Sequence, residues 1–365
     1  MKLFQCQSCA QLVYFENTIC EKCGHQLGFI PELTNMTSIE PKEAGIFEPI
    51  AASSSARYRY CANANFGACN WLVAAESCDS FCRACRHNRL VPDVSIPANL
   101  RSWQQTEFAK HRLFYSLIML RLPLENRQDA PEYGLTFEFP ASQGLESKIL
   151  TGHDNGVITI ALEEADDVER ETRRTAMHEP YRTLLGHFRH EIGHYYWDRL
   201  VRDGNKLDAA RAVFGDDRVD YNEALKAHYA NGAAPDWQHN FVTPYATAHP
   251  WEDFAETWAH YLHIVDTVEM AGAFGLQIRP PLDTIGDMRA VVDFDPYNAR
   301  HMNHIVEIWL PLSTALNSLN RTMGQADVYP FVLSEGAIRK LGFIHNLIMA
   351  NQSSSREIEL TPKRA

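Results

Sequence analysis

The sequence predicts an α+β protein in which small cysteine-rich modules precede a larger, mainly helical domain. All nine cysteines lie within the first 85 of 365 residues. Helical periodicity dominates later, in particular over 105–120 and 301–319. Two stretches, 135–139 and 156–161, have the alternation or the β-branched composition of strands. Helices are therefore expected to outnumber strands in the large domain.

Four cysteines near the start form two pairs, and two residues separate the members of each pair: Cys6 and Cys9, then Cys20 and Cys23. Two such knuckles predict a tetrahedral zinc site of four thiolates with no open position. A disulfide framework would need an oxidising compartment, which the sequence does not indicate. Residues 1–30 are therefore predicted to be a zinc ribbon.

A second group of cysteines falls within 57–95. Cys82 and Cys85 have knuckle spacing, and Cys61, Cys69 and Cys78 precede them. Five thiols are one more than a tetrahedral site needs. The alternatives are a second structural zinc site and a cluster of small buried thiols without metal.

The remaining segments follow from composition. Residues 31–56 mix Pro, Ser, Thr, Ala and Glu with little periodicity, which predicts a linker or extended arm. Residues 351–365 are rich in Ser and end in basic residues, which predicts a flexible tail. Between these segments, 96–350 is predicted to be one large domain, since a chain with 45% hydrophobic residues can bury a sizeable core.

The most informative motif of the large domain is the segment 190–194, which contains His190, Glu191 and His194. On a helix the two imidazoles share one face and can bind one Zn²⁺, while Glu191 can reach a water on the metal. Flanking residues predict a helix from about 179 to 204. Asp198 competes as a ligand by spacing, but on a straight helix we expect it to make a structural hydrogen bond beside the site.

A third protein ligand is expected on a second helix, which begins at His249-Pro250. Glu252, Glu256 and His260 lie on one side of that helix. The spacing favours Glu252 as the third ligand and Glu256 as the acceptor of the Nδ1 hydrogen of a ligand histidine, although the two roles could be exchanged. His260 is expected near the ligands without binding the metal.

Residues 181–198 and 248–256 resemble bacterial zinc-binding metallopeptidases with an N-terminal zinc-ribbon region, and the resemblance covers nearly the whole chain. It implies a zincin-like fold for 96–350. The wider group is the gluzincins, whose third ligand is the first Glu of an ExxxE or ExxxD segment. That pattern maps onto Glu252 and Glu256.

The resemblance also implies roles that spacing alone does not. It assigns Cys61 and Cys69 to a second structural zinc together with Cys82 and Cys85, and it leaves Cys78 spare. Some gluzincins place a tyrosine shortly before the third ligand to stabilise the oxyanion, which here implies Tyr245. A packed loop aromatic is the alternative role for this residue.

Two further segments lie ahead of the motif. In zincin-like folds an edge strand above the motif helix pairs with the substrate backbone, and 156–161 is our candidate for it. The acidic residues of 163–167 are expected to begin a helix, where anions suit the positive end of the dipole. A Ca²⁺ site is the alternative, although the spacing lacks an EF-hand loop.

Charge and hydropathy limit the partners. A net charge of −12 disfavours binding to nucleic acid and to anionic lipid. No apolar run reaches membrane-spanning length, and the first residues meet polar positions too soon for a secretory signal, so a cytoplasmic protein is expected. Residues 57–101 carry a small positive excess, which indicates either a docking surface for a partner or a solvated face.

These inferences predict a zinc metallopeptidase that hydrolyses a protein or peptide, with Glu191 as the general base. One catalytic and two structural zinc ions are expected. The alternative is a zinc-ribbon scaffold or regulator with an inactive or latent peptidase domain, which binds protein or nucleic acid.

Overall fold

A computed structural model describes residues 2–50, 56–142, 149, 151–176 and 182–360. These residues form two compact units. The first comprises the described residues within 1–119, 123–177 and 183–188, and the second those within 120–122, 178–182 and 189–365. The motif residues 190–194 and the residues 249–260 therefore belong to one unit, and the nine cysteines belong to the other.

The first unit contains most of the strands. Two short strands, β1 (Phe4–Gln5) and β2 (Leu12–Val13), flank the first knuckle and pair antiparallel. An antiparallel sheet of five strands follows in the order of the chain, and it consists of β3 (Gln26–Ile30), β4 (Asn35–Glu43), β5 (Ile46–Pro49), β6 (Tyr58–Tyr60) and β7 (Leu72–Ala74). This sheet connects the two cysteine groups.

The prediction of a linker over 31–56 is wrong for most of that interval. Strands β4 and β5 lie within it, and they pair with each other through a turn that contains Gly45 at φ +75°. Ile39 of β4 is buried and packs in one cluster with Ile30 and Leu72. Local periodicity does not reveal these strands, because Ile39 is buried against Ile30 of β3 and Leu72 of β7 and not against residues of its own segment. Residues 51–55 lie outside the described residues.

A second sheet of four strands has the order β10-β11-β9-β8, where β8 is Asn88–Leu90, β9 is Thr136–Glu138, β10 is Gly152–Asp154 and β11 is Val157–Thr159. The predicted strands at 135–139 and 156–161 are therefore present. The prediction that 156–161 is an edge strand is wrong, because β11 pairs with β10 on one side and with β9 on the other. β11 is therefore hydrogen-bonded to a neighbouring strand along each of its two edges.

Two helices complete this unit, α1 (Pro97–Met119) and α2 (Asp167–Ala176). Helix α1 contains the predicted helix at 105–120 apart from its last residue. The acidic residues of 163–167 precede and begin α2 as predicted, and Asp166 accepts hydrogen bonds from the amides of Val168 and Glu169 at 2.9 Å each. Among the described residues, no metal-binding group of side chains includes the acidic residues of 163–167.

The motif helix α3 (Leu184–Tyr196) begins later than predicted. Thr183 accepts a hydrogen bond from the amide of Gly186 at 2.9 Å, so Thr183 caps the helix. The predicted start at 179–181 lies outside the described residues. After Tyr196 the chain continues as one stretch of π-helix, Trp197–Arg202.

The second unit is mainly helical. Its further helices are α4 (Leu207–Phe214), α5 (Tyr221–Asn231), α6 (Pro250–Ala273), α7 (Met302–Thr322) and α8 (Glu335–Leu360), and its strands β12 (Gln277–Ile278) and β13 (Ala290–Val291) form a short hairpin. Helix α6 begins with Pro250 after the cap His249, as predicted. Helix α7 contains the predicted helix at 301–319 apart from its first residue. No helix in the described ranges combines the length and apolar character that a membrane span needs.

Helix α6 is the centre of this unit, and most of its side chains are buried. It packs closely against the C-terminal half of α3. A Cβ atom added to Gly193 would lie 2.9 Å from the Cα of Ala255 and 3.1 Å from the Cβ of Trp258. The rings of Trp258 and Tyr196 stack beside this contact with centroids 4.9 Å apart. Glycine at 193 therefore allows the two helix backbones to approach.

Helix α8 contributes a buried charge to α6. Lys340 Nζ lies 2.6 Å from Asp253 Oδ2 and donates to the carbonyl of Asn240 at 2.6 Å. Burial raises the pKa of Asp253 to about 7, although the charge of Lys340 acts in the opposite direction. The prediction of a flexible tail from residue 351 is wrong up to Leu360, where α8 ends, and 361–365 lie outside the described residues.

We predict that Lys340→Met lowers the free energy of unfolding by about 3–5 kcal/mol, because Asp253 would be left buried without its cation. A raised pKa means that the fold favours protonated Asp253, so this residue's contribution to stability falls as pH rises from its unfolded pKa through about 7. The loss in the variant should therefore be smaller near about pH 5 than near about pH 8. Urea unfolding at both pH values measures it.

The matched control is Lys226→Met, because Lys226 and its partner Glu223 have side chains that are 78% and 75% exposed. This change should alter stability by no more than about 0.5 kcal/mol. Equal effects of the two changes would contradict the interpretation.

Candidate metal centres

Three side chains of the second unit meet at the contact of α3 and α6. His190 Nε2 and His194 Nε2 lie 3.1 Å apart, and Glu252 Oε2 is 3.0 Å from the first nitrogen and 3.5 Å from the second. His194 and Glu252 are buried, and His190 is half-buried. The two histidines come from successive turns of α3, and Glu252 comes from the first turn of α6.

These separations suit one zinc ion. A tetrahedral ion with ligand bonds of about 2.0–2.1 Å has ligand atoms about 3.3 Å apart. The observed separations of 3.0, 3.1 and 3.5 Å lie around that value. Glu252 Oε2 is buried and accepts no hydrogen bond from the described residues. The three atoms thus form a set of lone-pair donors that suits a cation.

A second carboxylate orients the first histidine. His190 Nδ1 lies 2.7 Å from Glu256 Oε1, and since a carboxylate accepts, Nδ1 carries the hydrogen and the Nε2 lone pair faces His194 and Glu252. Thr243 donates its hydroxyl hydrogen to the other oxygen of Glu256 at 2.6 Å. Burial lowers the pKa of His190, but the nearby carboxylates of Glu252 and Glu256 raise it well above the usual value, so a cation at Nε2 competes with a proton there.

A tyrosine orients the carboxylate that faces the histidines. Tyr221, the first residue of α5, donates its hydroxyl hydrogen to Glu252 Oε1 at 2.6 Å. Burial and the charge of Glu252 raise the pKa of this tyrosine, so the hydroxyl keeps its hydrogen. Oε2 remains directed at the histidines. The ring of Trp251 lies 4.1 Å from that of His194 and restricts its movement.

Glu191 and Tyr245 are the two predicted catalytic residues. Glu191 is buried and lies between the two histidines in the sequence of α3. The ring of Tyr245 lies 6.0 Å from that of His190, and burial, with the charge of Glu252, raises the pKa of its hydroxyl. Tyr245 therefore lies beside one of the two histidines.

Asp198 and His260 are bonded elsewhere. Asp198 lies in the π-helical segment and forms an ion pair with Arg202 at 2.8 Å. His260 Nδ1 lies 2.6 Å from the hydroxyl of Tyr329, and burial lowers the pKa of this histidine to about 4. Neither belongs to the group of His190, His194 and Glu252.

The first cysteine group lies between β1 and β3. The sulfurs of Cys6 and Cys23 are 3.6 Å apart, and those of Cys9 and Cys20 are also 3.6 Å apart. Four thiolates around zinc, with bonds of about 2.3 Å, lie about 3.8 Å apart, which agrees with this packing. The hydroxyl of Ser38, on β4, lies 3.1 Å from the Cys6 sulfur. The segment that was predicted as a linker therefore contributes a hydrogen bond to this group.

The second group is entirely buried. The sulfurs of Cys61, Cys69, Cys82 and Cys85 lie within 4.8 Å of one another, and those of Cys69 and Cys82 are 3.7 Å apart. Cys78 is exposed and lies outside the group. No disulfide joins any of the nine cysteines, all of which lie in the described residues.

Comparison with known proteins identifies the family. A family described as "Putative zinc-binding metallo-peptidase" matches residues 99–347, and a zinc-ribbon domain matches residues 3–96. The chain belongs to this metallopeptidase family. The resemblance predicted from 181–198 and 248–256 is thereby confirmed, and so is the order of a zinc-ribbon region followed by a metallopeptidase-like domain in an α+β chain.

The family's relatives are bacterial. An uncharacterized protein of Mycobacterium bovis and one of Mycobacterium tuberculosis are each 40% identical to this chain over 349 residues, which is 95% of this chain and 95% of theirs. No solved structure matches the chain. The family supports zinc binding, and it supports hydrolysis in general terms.

Sequence reasoning missed several contacts of the candidate site. Tyr221 donates a hydrogen bond to Glu252, Thr243 donates one to Glu256, and Trp251 packs on His194. Only Trp251 lies beside a predicted ligand in the sequence. Tyr221 and Thr243 lie in separate segments, and no spacing rule connects them to the motif.

We predict that Tyr221→Phe lowers the affinity of the His190, His194 and Glu252 group for zinc by about 10–100-fold, because Glu252 would lose the hydrogen bond that directs Oε2. Competition with a chromophoric chelator measures the affinity. The control is Tyr229→Phe, because Tyr229 lies on the same helix and is 63% exposed. This change should leave the affinity unchanged. Wild-type affinity in Tyr221→Phe would show that Glu252 is oriented without it.

Proposed function

We propose that this protein is a zinc-dependent peptidase of the gluzincin type, with a zincin-like domain and with His190, His194 and Glu252 as the ligands of the catalytic ion. The observation that carries the proposal is the meeting of three lone-pair donors at 3.0–3.5 Å, two of which come from the histidines that flank Glu191 on α3. The hydrogen bond from His190 to Glu256 adds the outer contact that is typical of such sites.

Zinc in this position would lower the pKa of water to about 7 and would polarise the carbonyl of the substrate. Glu191 takes a proton from the attacking water and passes it to the leaving nitrogen. The buried hydroxyl of Tyr245 keeps its hydrogen and can donate it to the oxyanion. Glu256 holds the tautomer of His190, and Tyr221 holds the orientation of Glu252.

The substrate class we propose is a protein or peptide. The proposal further assigns two structural ions, one to the group of Cys6 and one to the group of Cys61. Closed sites of four thiolates have no open position, so they serve folding and a possible contact with a protein partner rather than hydrolysis. Thiolates that bind zinc suit a reducing compartment, and we propose the cytoplasm.

We predict about three zinc ions per chain, and about two in the double variant His190→Ala, His194→Ala. The loss is expected because one glutamate cannot hold zinc alone. Atomic absorption on protein purified without added metal measures the content, and the control is Arg202→Ala, which removes the partner of Asp198 without touching the group. An unchanged content in a folded double variant would refute the catalytic zinc.

We predict that Glu191→Gln keeps the zinc content and lowers hydrolysis by about 100–10,000-fold, because the general base is lost while the ligands remain. Cleavage of a pool of internally quenched peptides, read by mass spectrometry, measures it. The control is Glu223→Gln, an exposed glutamate of α5.

Absence of cleavage by a wild-type chain that holds its zinc would instead favour the scaffold or regulator with a latent domain. Where the wild type does cleave, the Glu191→Gln chain should retain peptides that the wild type releases as fragments.

A further inference from the structure

The second cysteine group has a fifth potential metal donor that comes from a distant segment. His111 lies in the middle of α1, beyond residues 3–96 that match the zinc-ribbon domain. Its Nε2 is 3.3 Å from the sulfur of Cys69, 3.5 Å from that of Cys85 and 3.9 Å from that of Cys82. The ring is buried, and it packs on Trp71 with centroids 5.0 Å apart.

The hydrogen bond of Nδ1 shows that Nε2 is the nitrogen of His111 that can bind a metal. His111 Nδ1 lies 2.6 Å from the backbone carbonyl oxygen of Glu107. A carbonyl oxygen only accepts, so Nδ1 carries the hydrogen, and the neutral ring has its lone pair on Nε2. Metal-bound histidines almost always make such a hydrogen bond with the nitrogen that does not bind the metal.

The distances fit a tetrahedral ion. Zinc bonds of about 2.3 Å to sulfur and about 2.0–2.1 Å to nitrogen place the nitrogen about 3.5–3.6 Å from each sulfur. The three observed separations lie on both sides of that value. Cys61 forms a similar set with the same three cysteines. Two sets of four donors therefore share Cys69, Cys82 and Cys85.

We propose that His111 is a reserve ligand of the second zinc site, which replaces Cys61 when this thiolate leaves. In the exchange, the sulfur of Cys61 gives up its bond to zinc and takes up a proton, and Nε2 of His111 donates its lone pair to zinc. The three other cysteines stay bound, and no electron is transferred. Cys61 is the residue exchanged because His111 contacts the sulfurs of the other three.

The charge balance permits such an exchange. Lys110 and Glu107 are both buried and pair at 2.9 Å. Four thiolates around Zn²⁺ carry two excess negative charges, whereas three thiolates and a neutral imidazole carry one. Burying excess charge is costly, so the site with His111 bound bears no greater cost than the site with Cys61 bound.

The inference rests on the proposed structural zinc at Cys61, Cys69, Cys82 and Cys85, and it is independent of peptidase activity. The test compares zinc per chain in the wild type, His111→Ala, Cys61→Ser and the double variant. We expect about three ions in the first three chains and about two in the double variant. In Cys61→Ser with cobalt in place of zinc, the absorption bands should change from those of four sulfurs to those of three sulfurs and one nitrogen.

Loss of one zinc in Cys61→Ser alone would overturn the inference while leaving the structural zinc in place. The double variant Cys82→Ser, Cys85→Ser separates the two proposals, because both sulfurs belong to both donor sets and each set is then left with two donors. Its zinc content should be one ion lower than that of the wild type. An unchanged content would show that this group holds no metal, and both proposals would then fail.

A second measurement uses chains that keep all four thiols, and it does not depend on the folding of Cys61→Ser. A reserve ligand recaptures zinc after the first thiolate leaves, so transfer of zinc to a chelator should be about tenfold faster in His111→Ala. His111→Gln supplies an N–H donor but no nitrogen ligand, and it should release zinc as fast as His111→Ala. Wild-type release in His111→Gln would show that a hydrogen bond suffices, and the inference would be wrong.

Discussion

The candidate site depends on how closely α3 and α6 approach at Gly193. A side chain at this position would meet the backbone of Ala255 at 2.9 Å, so the helices could not pack as they do. His190 and His194 lie within one turn of Gly193, and Glu252 and Glu256 lie within one turn of Ala255. The distance between two backbones therefore determines whether three donors meet around one ion. Packing therefore constrains Gly193 as strongly as ligand chemistry constrains His190 and His194.

Close packing buries charges, and each buried carboxylate of α6 has a partner from another segment. Glu252 accepts from Tyr221, and Glu256 accepts from Thr243 and His190. Asp253 pairs with Lys340 of α8. A buried carboxylate without a partner has a raised pKa and tends to lose its charge. The partners of Glu252 and Glu256 therefore help to keep the oxygens of these two carboxylates available as acceptors and ligands. The fold of this unit and the electrostatics of the site are therefore established by the same contacts.

The cysteine groups of the other unit also have polar partners from separate segments. Ser38 reaches the first group from β4, and His111 reaches the second from α1. Thiolates around a metal are strong acceptors and carry excess negative charge, so hydrogen bonds and neutral donors from neighbouring elements stabilise them. Neither cysteine group is a separate module, since β3–β7 form one sheet that includes residues beside both.

The sequence by itself determined which side chains of this protein can bind metal, because knuckle spacing and the 190–194 motif act over a few residues and depend only on local geometry. It also determined that helices form at α1, α6 and α7, whose periodicity is local. The tertiary structure decided everything that needs two distant segments to meet. It gave β11 a neighbour on each side, made strands of a segment without periodicity, and brought Tyr221, Thr243 and His111 to their acceptors or sulfurs. These contacts arise from packing between elements, and no local pattern encodes which elements will pack.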